Sequence, residues 1–504
     1  MTSPAPPSRA IDCAWLLADP GNERAQADMR IVVEQGRIAS VASLPATPAG
    51  PRRLALPALA NAHDHARTFR TATLGAYNLP LESWLPYFSV LPGVDPYLCA
   101  VTTFARSARR GVAELMVHYN RLQGVSSYLD EAAAVARAAA DVGLRIGFGV
   151  SMRDRHGIGY GADDSVLAAL RPGIRDEVRQ RLSVQAGSPA EQLAVVDDVA
   201  HMVRERGHAP YVNVQYGPTG VQWCSEKLLE GIAAASAQNG RNVHMHLLET
   251  RYQREWADRT YPQGVLERLD EIGLLSPRLT VAHCTWARPA ELALLAERGV
   301  TIAVNTSSNL CLRSGIAPLP EMLRQGCRVA MGIDGLALDE DDDALREMRL
   351  AWSLHRGWGY ERQMNTGQLW AFAARNARRT VSGPAAEVAG TEGGLIQPGR
   401  SADLLLLDWE TLDDDALFPD IDPLNLLLAR GTGAHIDEMI VGGRTVVEHG
   451  QVVGVDEAAL RAELVARMRA AIAAQPQVSR WRATVDALAE DLAPFYRSGG
   501  FGCC

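Results

Sequence analysis

Asn61-Ala62-His63-Asp64-His65 directly follows an apolar run, Leu54–Ala60, and the interpretation of the chain starts from these two neighbouring segments. The run is typical of a buried strand. Residues two apart in an extended chain point to the same side, so His63 and His65 converge at the end of that strand. Imidazole is the commonest metal ligand, and two imidazoles supply half of a four-coordinate site. Alone, this pair is explained at least as well by an ordinary surface or core position as by a metal site, so the interpretation depends on residues further along the chain.

The composition and net charge of the chain indicate which classes of protein the sequence is compatible with. The chain has 504 residues, of which 47% are hydrophobic and 22% charged, with a net charge of −9. These values are typical of a globular protein with more than one domain, and the negative charge argues against nucleic acid or a membrane surface as partner. No apolar run approaches the roughly 20 residues of a membrane span, and residues 1–7 lack the features of a secretory signal. We therefore expect a cytoplasmic protein.

The cysteines agree with that location. Their eight positions show no framework spacing, which favours reduced thiols in a cytoplasmic protein. The adjacent Cys503 and Cys504 end a glycine-rich tail and are expected to be exposed thiols.

Apolar, β-rich segments alternate with helical stretches through the middle of the chain. Such alternation predicts a parallel sheet, and eight strand–helix units predict a closed (β/α)8 TIM-type barrel, which we place at residues 57–385. After the first strand, the predicted strands are Val112–Tyr119, Leu144–Met152, Pro210–Tyr216, Asn242–Leu248, Leu279–Ala282, Val300–Val304 and Arg328–Ile333.

The two ends of the chain share a different pattern. Short segments that alternate apolar and polar residues occur before residue 56 and again after residue 403. This pattern predicts antiparallel strands, and we expect residues 1–56 and 386–455 to form one small β-sandwich domain. Residues 456–504 are predicted to be a helical C-terminal extension that packs on the surface.

Polar residues with catalytic potential follow several barrel strands. His246 and Glu249 end the fifth strand, His283 the sixth and Asp334 the eighth. In a barrel of this kind the active site lies at the carboxyl ends of the strands. Hydrolysis needs a metal ion that lowers the pKa of bound water and a nearby base that transfers protons. Each residue alone has an ordinary structural explanation, but four at the right strand ends favour a metal-dependent hydrolase.

The same segments resemble the amidohydrolase superfamily, in the branch of cytosine, guanine and S-adenosylhomocysteine deaminases and triazine hydrolases. The resemblance covers nearly the whole chain apart from the C-terminal tail. Its motifs are Pro57–His65, His246–Thr250, Ala282–Cys284, Asn305–Leu310, Gly332–Gly335 and Gly394–Leu404.

The resemblance implies one divalent metal ion, with zinc expected and iron as the alternative. It implies Glu249 as the proton shuttle, His283 as the group that polarises the attacked centre or orients water, and Asp334 as the first base. The implied ligands are His63, His65, His246 and Asp334. Relatives with two metals bridge them by a lysine that ends strand four, whereas Lys227, the single lysine, lies beyond that strand.

Two positions depart from the usual family pattern. Asp64 stands where relatives carry a neutral residue, and we expect it to point away from the metal as a structural partner. His244 forms a second His-x-His pair with His246 and is expected either to touch substrate or to support a ligand.

Substrate-binding residues are predicted at further strand ends. An arginine after strand three can grip a carboxylate or ring carbonyl, although a surface ion-pair network explains that cluster equally well. Aromatic and amide groups after strand four can stack on a planar ring, and the loop from Arg67 to Trp84 can close over the site. The predicted set is His118, Arg153, Arg155, His156, Gln222, Trp223, His244 and Asn309.

We therefore predict a hydrolase of carbon–nitrogen bonds. It would remove an amino group, as ammonia, from a planar N-heterocycle such as a purine, pyrimidine, pterin or triazine, by attack of metal-activated hydroxide. The same machinery would also serve ring opening of a cyclic amide or imide, or displacement of chloride or an alkylamine. A catalytically silent scaffold that binds a ligand is a further alternative. The expected partner is a small heterocyclic molecule, and the family resemblance also allows a homo-oligomer.

Overall fold

A computed structural model describes residues 8–46, 50–335, 340–384, 393–499 and 501. The predictions for Cys503 and Cys504, and the predicted start of the second β segment at residue 386, lie outside these residues.

The described chain contains two eight-stranded sheets. In chain order the strands are β1 (Arg9–Leu16), β2 (Gln26–Glu34), β3 (Arg37–Ser43), β4 (Arg53–Pro57), β5 (Leu59–Asp64), β6 (Val112–Tyr119), β7 (Arg145–Met152), β8 (Val212–Pro218), β9 (Val243–Leu247), β10 (Leu279–His283), β11 (Thr301–Val304), β12 (Arg328–Met331), β13 (Leu404–Asp408), β14 (Ile436–Val441), β15 (Arg444–Glu448) and β16 (Gln451–Val452).

Strands β5 to β12 are parallel, pair in sequence order and form the predicted barrel. The barrel closes where the backbone N–H of Asp334 donates to the carbonyl of His63 at 2.8 Å. The α-helices between and after these strands are Leu81–Trp84, Pro96–Arg109, Tyr128–Val142, Asp163–Ala169, Arg175–Leu182, Pro189–Glu205, Glu226–Asn239, Arg251–Thr260, Val265–Glu271, Pro289–Glu297, Thr306–Cys311, Leu319–Arg324, Ala344–His355, Thr366–Trp370 and Asn376–Ser382.

The first predicted strand, Leu54–Ala60, is divided between the two sheets. Residues of β4 pair with β13 in the end sheet, whereas β5 pairs with β6 in the barrel. The change of partner occurs at Ala58, whose N–H donates to Asp403, while the next N–H, of Leu59, donates to Gly111. Every residue from Leu54 to Ala60 is buried. A strand that is buried on both faces is apolar throughout, so its sequence does not indicate where one sheet ends and the other begins.

The second sheet is built from both ends of the chain, and the predicted fold class is confirmed. Its strand order is β16-β15-β14-β13-β4-β1-β2-β3. The strands form one continuous hydrogen-bonded sheet, and β1 pairs with β4 in parallel, which differs from the expected antiparallel arrangement. The turn between β2 and β3 bonds to the segment before β13, since Ala402 N–H donates to the carbonyl of Gly36 at 2.9 Å. The sheet therefore curls toward itself around a common apolar core.

A buried ionic cluster joins this sheet to the barrel. Arg145 on β7 contacts Glu114 at 2.7 Å and Asp403 at 2.5 Å. Arg378 contacts the same two carboxylates at 2.7 and 3.0 Å. Burial opposes the charge on Asp403, but the two guanidinium groups lower its pKa to about 2. The cluster thus fixes the base of the barrel to the segment that leads into β13.

The C-terminal extension is helical, as predicted, with helices Glu457–Ala473 and Pro476–Arg497. The second helix does more than cover the surface, because Trp481, Leu488 and Leu492 on one of its faces are buried. It packs against the short helix Leu81–Trp84. Among the described residues, no helix combines the length and hydropathy that crossing a membrane requires.

Candidate metal and catalytic site

The predicted ligands and catalytic residues meet at the carboxyl ends of β5, β9, β10 and β12. All of them are buried. His63, His65 and Asp334 each offer one ligand atom, and these atoms lie within 4.8 Å of one another; the same holds for His63, His246 and His283. The parallel barrel brings together residues that are up to 271 positions apart, because each follows a strand at the same edge.

His65 and His246 point toward each other. Their Nε2 atoms lie 3.2 Å apart. The Nδ1 of His65 lies 2.8 Å from the carbonyl oxygen of His118, and that of His246 lies 2.7 Å from the carbonyl oxygen of Thr219. A carbonyl only accepts, so each Nδ1 carries the proton and each Nε2 presents a lone pair. Two facing lone pairs without a proton between them are the arrangement that a cation stabilises.

His63 supplies a third nitrogen. Its Nδ1 shares a hydrogen bond of 2.7 Å with Nε2 of His244, which orients the ring. Its Nε2 is buried, forms no hydrogen bond within the described chain, and lies 3.4 Å from Oδ1 of Asp334. Burial lowers the pKa of His63 to about 3. The ring is therefore neutral at physiological pH, which is the form that binds metals.

Asp334 supplies an oxygen to the same point. Its Oδ1 lies 3.1 Å from Nε2 of His65, and its Oδ2 accepts a hydrogen bond of 2.5 Å from Ser308. Burial favours the protonated form of Asp334, but its contacts with His63 and His65 hold the pKa of the carboxyl well below its usual range. Three neutral imidazoles and one carboxylate form a donor set that suits a single divalent metal ion.

Glu249 and His283 lie beside this donor set. Oε2 of Glu249 is 3.7 Å from Nε2 of His283, and Ser314 donates to Oε1 of Glu249 at 3.3 Å. Burial, and then the charge of Asp334, raises the pKa of Glu249 well above its usual value. Asn309 fixes His283 through a contact of 2.9 Å between its Oδ1 and Nδ1 of the ring. The surroundings of Glu249 thus favour the protonated form of its carboxyl group, as a general acid requires.

The backbone turns sharply where these side chains emerge. Leu248, His283 and Asp334 have φ values of 51°, 77° and 60°, in the left-handed region that side chains other than glycine rarely adopt. Such conformations persist where surrounding contacts enforce them, and they concentrate at functional sites. Here each one follows a barrel strand and directs a loop across the site.

A cavity of about 480 Å³ opens from this site. It reaches Asp334, Glu249 and His283, and Arg153 and Trp223 are the members of the predicted substrate-binding set that line it. The guanidinium carbon of Arg153 lies 5.5 Å from the centre of the Trp223 ring. A surface ion-pair network is the alternative explanation for this arginine. Among the residues that the structure describes, no carboxylate lies within 4.0 Å of the Arg153 guanidinium, so that explanation does not apply to it.

The other predicted substrate-binding residues do not line this cavity. Three of them contact the proposed ligands or His283 instead: the carbonyl of His118 holds His65, the ring of His244 holds His63, and the amide of Asn309 holds His283. The remaining positions, away from the cavity lining, are Arg155, His156 and Gln222.

Sequence reasoning did not single out Arg67, which lines the cavity beside the site. Its guanidinium lies 4.5 Å from the ring centre of Trp84 and 4.6 Å from that of Phe88, and its Nη2 is 3.5 Å from Oδ1 of Asp334. Arg67 lies two residues after His65, but Ala66 between them has a φ of 50°, so the spacing rule for an extended strand does not apply to it.

Two further cavity residues were also missed. Glu82 and Tyr160 line the cavity and share a hydrogen bond of 3.0 Å, in which the Tyr160 hydroxyl donates to Oε1 of Glu82. Glu82 lies in the short helix Leu81–Trp84 and Tyr160 in the loop after β7, and no short-range pattern in the sequence marks them.

Comparison with known proteins adds independent information. Residues 54–446 match the model of the amidohydrolase family. The 5'-deoxyadenosine deaminase of Methanothermobacter thermautotrophicus is 28% identical over 439 residues, which cover 85% of this chain and 91% of that protein. The 5-methylthioadenosine/S-adenosylhomocysteine deaminase of Pyrococcus furiosus is 28% identical over 85% of this chain and 92% of its own.

A solved structure shares the fold. The crystal structure of an adenosine deaminase from Xanthomonas campestris with bound zinc matches with a TM-score of 0.70 and 23% sequence identity. The match covers 95% of this chain and 98% of the other.

Proposed function

The chain belongs to the amidohydrolase family, and on this basis we propose that it is a one-metal aminohydrolase that removes the amino group of an adenine nucleoside as ammonia. The observation that carries the proposal is the pair of facing lone pairs on His65 and His246, 3.2 Å apart, with the carboxyl group of Glu249 in the same cavity. The relatives described above are named as deaminases of 5'-deoxyadenosine, 5-methylthioadenosine and S-adenosylhomocysteine, which supports the choice of substrate class.

The metal would be held by His63, His65, His246 and Asp334. When bound, a divalent ion lowers the pKa of a water molecule to about 7 and so provides hydroxide at neutral pH. Zinc is our proposal because nitrogen-rich sets with one carboxylate suit it. A one-metal site is further supported by the absence of lysine from β8, since the single lysine of the sequence, Lys227, lies in the helix Glu226–Asn239.

The residues of the chain then move the protons. Asp334, ionised because its pKa is held low, takes the first proton from the attacking water. Glu249, whose raised pKa favours the protonated form, delivers a proton to the ring nitrogen next to the attacked carbon. His283, oriented by Asn309, presents Nε2 to the reacting centre. A carbon–oxygen bond forms and the carbon–nitrogen bond breaks. The amino group leaves as ammonia with the proton that Asp334 took from water, and the remaining proton of the attacking water returns to Glu249.

Ammonia release from a panel of substrates tests this proposal. The panel comprises 5'-deoxyadenosine, 5-methylthioadenosine, S-adenosylhomocysteine, guanine, cytosine and an aminated triazine, with metal content measured by mass spectrometry. We expect ammonia from the adenine nucleosides and none from a folded Asp334→Asn variant. Wild-type turnover by that variant, or silence across the panel with one metal bound per chain, would overturn the proposal.

The location of the protein in the cell and its oligomeric state are also proposals. The cytoplasmic location stays a prediction, which rests on the irregular spacing of the cysteines in the sequence. Assembly into a dimer or larger homo-oligomer stays a prediction that analytical ultracentrifugation tests.

A further inference from the structure

The C-terminal helix Pro476–Arg497 reaches the cavity although it lies outside the part of the chain that matches the family, residues 54–446. Tyr496, near the end of this helix, is one of the residues that line the cavity. A segment that is extra to the family match thus forms part of the wall of the candidate active site.

The helix is fastened to the loop that follows β5. Ser83 donates to the carbonyl of Ala489 at 3.0 Å, and the hydroxyl of Tyr87 donates to Asp486 at 2.7 Å. The indole N–H of Trp481 donates to Ser89 at 2.9 Å. These contacts run along the helix for several turns and therefore fix its position over the barrel mouth.

The opposite side of the helix is fastened to the loop that follows β7. Arg171 contacts Asp491 at 2.7 Å and Glu490 at 2.9 Å, and Thr484 donates to Glu177 at 2.8 Å. The helix therefore bridges two loops at the carboxyl ends of barrel strands. In barrels of this type such loops determine which substrate binds.

Tyr496 is held in a buried aromatic cluster. It is 4% exposed, and its ring centre lies 5.4 Å from that of Tyr160, 5.1 Å from Tyr252 and 5.3 Å from Phe501. Its hydroxyl accepts a hydrogen bond of 3.2 Å from the backbone N–H of Tyr160. The side chain is therefore a fixed part of the wall.

Tyr160 links this wall to the backbone of Glu249 through Gln253. Its hydroxyl donates to Glu82 and lies 3.3 Å from the side-chain amide of Gln253. The carbonyl oxygen of the same Gln253 side chain accepts a hydrogen bond of 2.8 Å from the backbone N–H of Glu249. Contacts thus run without interruption from the C-terminal helix to Glu249.

We propose that Tyr496 is a specificity-determining residue, against which the part of the substrate that does not react packs. The inference rests on the proposed function, so for an adenine nucleoside this part is the 5' substituent. The cavity wall that Tyr496 contributes to also includes Leu81, Leu85 and Ile158, which form apolar surface suited to a compact substituent. Removing the tyrosine ring enlarges the cavity and relaxes the limit on the size of that substituent.

The test compares 5'-deoxyadenosine with the bulkier S-adenosylhomocysteine in the full-length, metal-loaded enzyme. Tyr496→Ala is expected to raise the ratio of kcat/KM for the bulky substrate to that for the compact one by about tenfold or more. The change should appear mainly in KM. Tyr496→Phe keeps the ring and should shift the ratio less than Tyr496→Ala.

Phe495→Ala is the matched control, because Phe495 is the adjacent buried aromatic residue of the same helix and does not line the cavity. Equal ratios for Phe495→Ala and Tyr496→Ala would overturn the inference. Isothermal titration of both nucleosides into an Asp334→Asn background, with and without Tyr496→Ala, gives the same ratio from Kd values without turnover.

Different experimental results would overturn the inference about Tyr496 and the proposed function. Ammonia release with a ratio that Tyr496→Ala leaves unchanged would overturn this inference alone. Neither ammonia nor binding with either nucleoside would overturn the proposed function, and this inference with it.

Discussion

The carboxylate of Asp64 accepts a hydrogen bond of 3.0 Å from the backbone N–H of Gly335, which joins the end of the first barrel strand to the loop after the last. The same carboxylate accepts bonds from the N–H groups of His65 and Ala66 at 2.7 and 2.8 Å and from the side-chain amide of Asn61 at 2.8 Å. Four donors on two buried oxygens hold the neighbouring ligands in place.

We expect Asp64→Asn to weaken metal binding and lower stability. An amide turns an N–H₂ group toward donors, which leaves buried N–H groups without acceptors, at a cost of about 1–3 kcal/mol each. Metal content by mass spectrometry and chemical denaturation measure the two effects. Asp164→Asn is the control, since that side chain is 83% exposed. Full metal occupancy and unchanged stability in Asp64→Asn would show that the carboxylate is dispensable.

Gly332→Ala should disturb the site through steric contact alone. A Cβ atom at this position would lie 2.0 Å from Oδ1 of Asn305 and 3.0 Å from Cβ of His63. One of the two side chains would have to move, and His63 is a proposed ligand. We expect a loss of stability of about 1–3 kcal/mol, typical of overpacking, together with reduced metal content. Gly173→Ala is the matched control, because its added Cβ meets nothing within 4 Å. Similar behaviour of the two variants would contradict the argument.

Glu249→Gln should abolish most turnover while the fold and metal content stay intact. The amide has the shape of the carboxyl but cannot carry a proton between water and the leaving group. Loss of a positioned acid–base group reduces rates by about 10²–10⁴-fold. The measurement is kcat by ammonia release, with Glu271→Gln as control because that side chain is 72% exposed. A fall of less than tenfold in Glu249→Gln would reassign the proton transfer to another group.

The site residues that could be predicted are only a few positions apart in the sequence and lie at the end of a predicted strand. His63 and His65 point together because they are two residues apart, and Glu249 follows His246 closely. In the structure, the parallel barrel brings these strand ends and Asp334 together around one point. The sequence also suggested Asp64 as a structural partner, and its hydrogen bonds to Asn61 and Gly335 agree with that expectation.

The parts that could not be predicted depend on contacts between distant segments. Tyr496 reaches the cavity because the helix Pro476–Arg497, which begins 229 residues after the end of β9, lies across two loops, and no local pattern encodes that position. The break at Ala58 was missed for a related reason, since partners in β6 and β13 decide where one strand ends. His118 and Asn309 were expected at the substrate, but long-range packing places them behind His65 and His283.

The ionic cluster around Asp403 leads to a prediction about pH. Asp403 is 1% exposed, and Arg145 and Arg378 hold its pKa at about 2, below the ordinary value of 3.8. A lowered pKa in the folded state stabilises the protein above the ordinary pKa, and this contribution is lost as pH falls from about 4 toward 2. Asp403→Asn leaves the buried Arg378 and the partly exposed Arg145 with one fewer carboxylate, which should cost about 3 kcal/mol near pH 7.

Because asparagine does not ionise, the difference in unfolding free energy between wild type and Asp403→Asn should be largest near pH 7 and shrink below pH 4. Urea denaturation at a series of pH values from 7 downward measures this difference. Asp12→Asn is the matched control, since Asp12 pairs with Arg30 at the surface, where such pairs contribute about 0–1 kcal/mol. A difference for Asp403→Asn that is as small as that of the control, or that stays constant with pH, would mean that the Asp403 carboxylate does not hold the barrel to the end sheet.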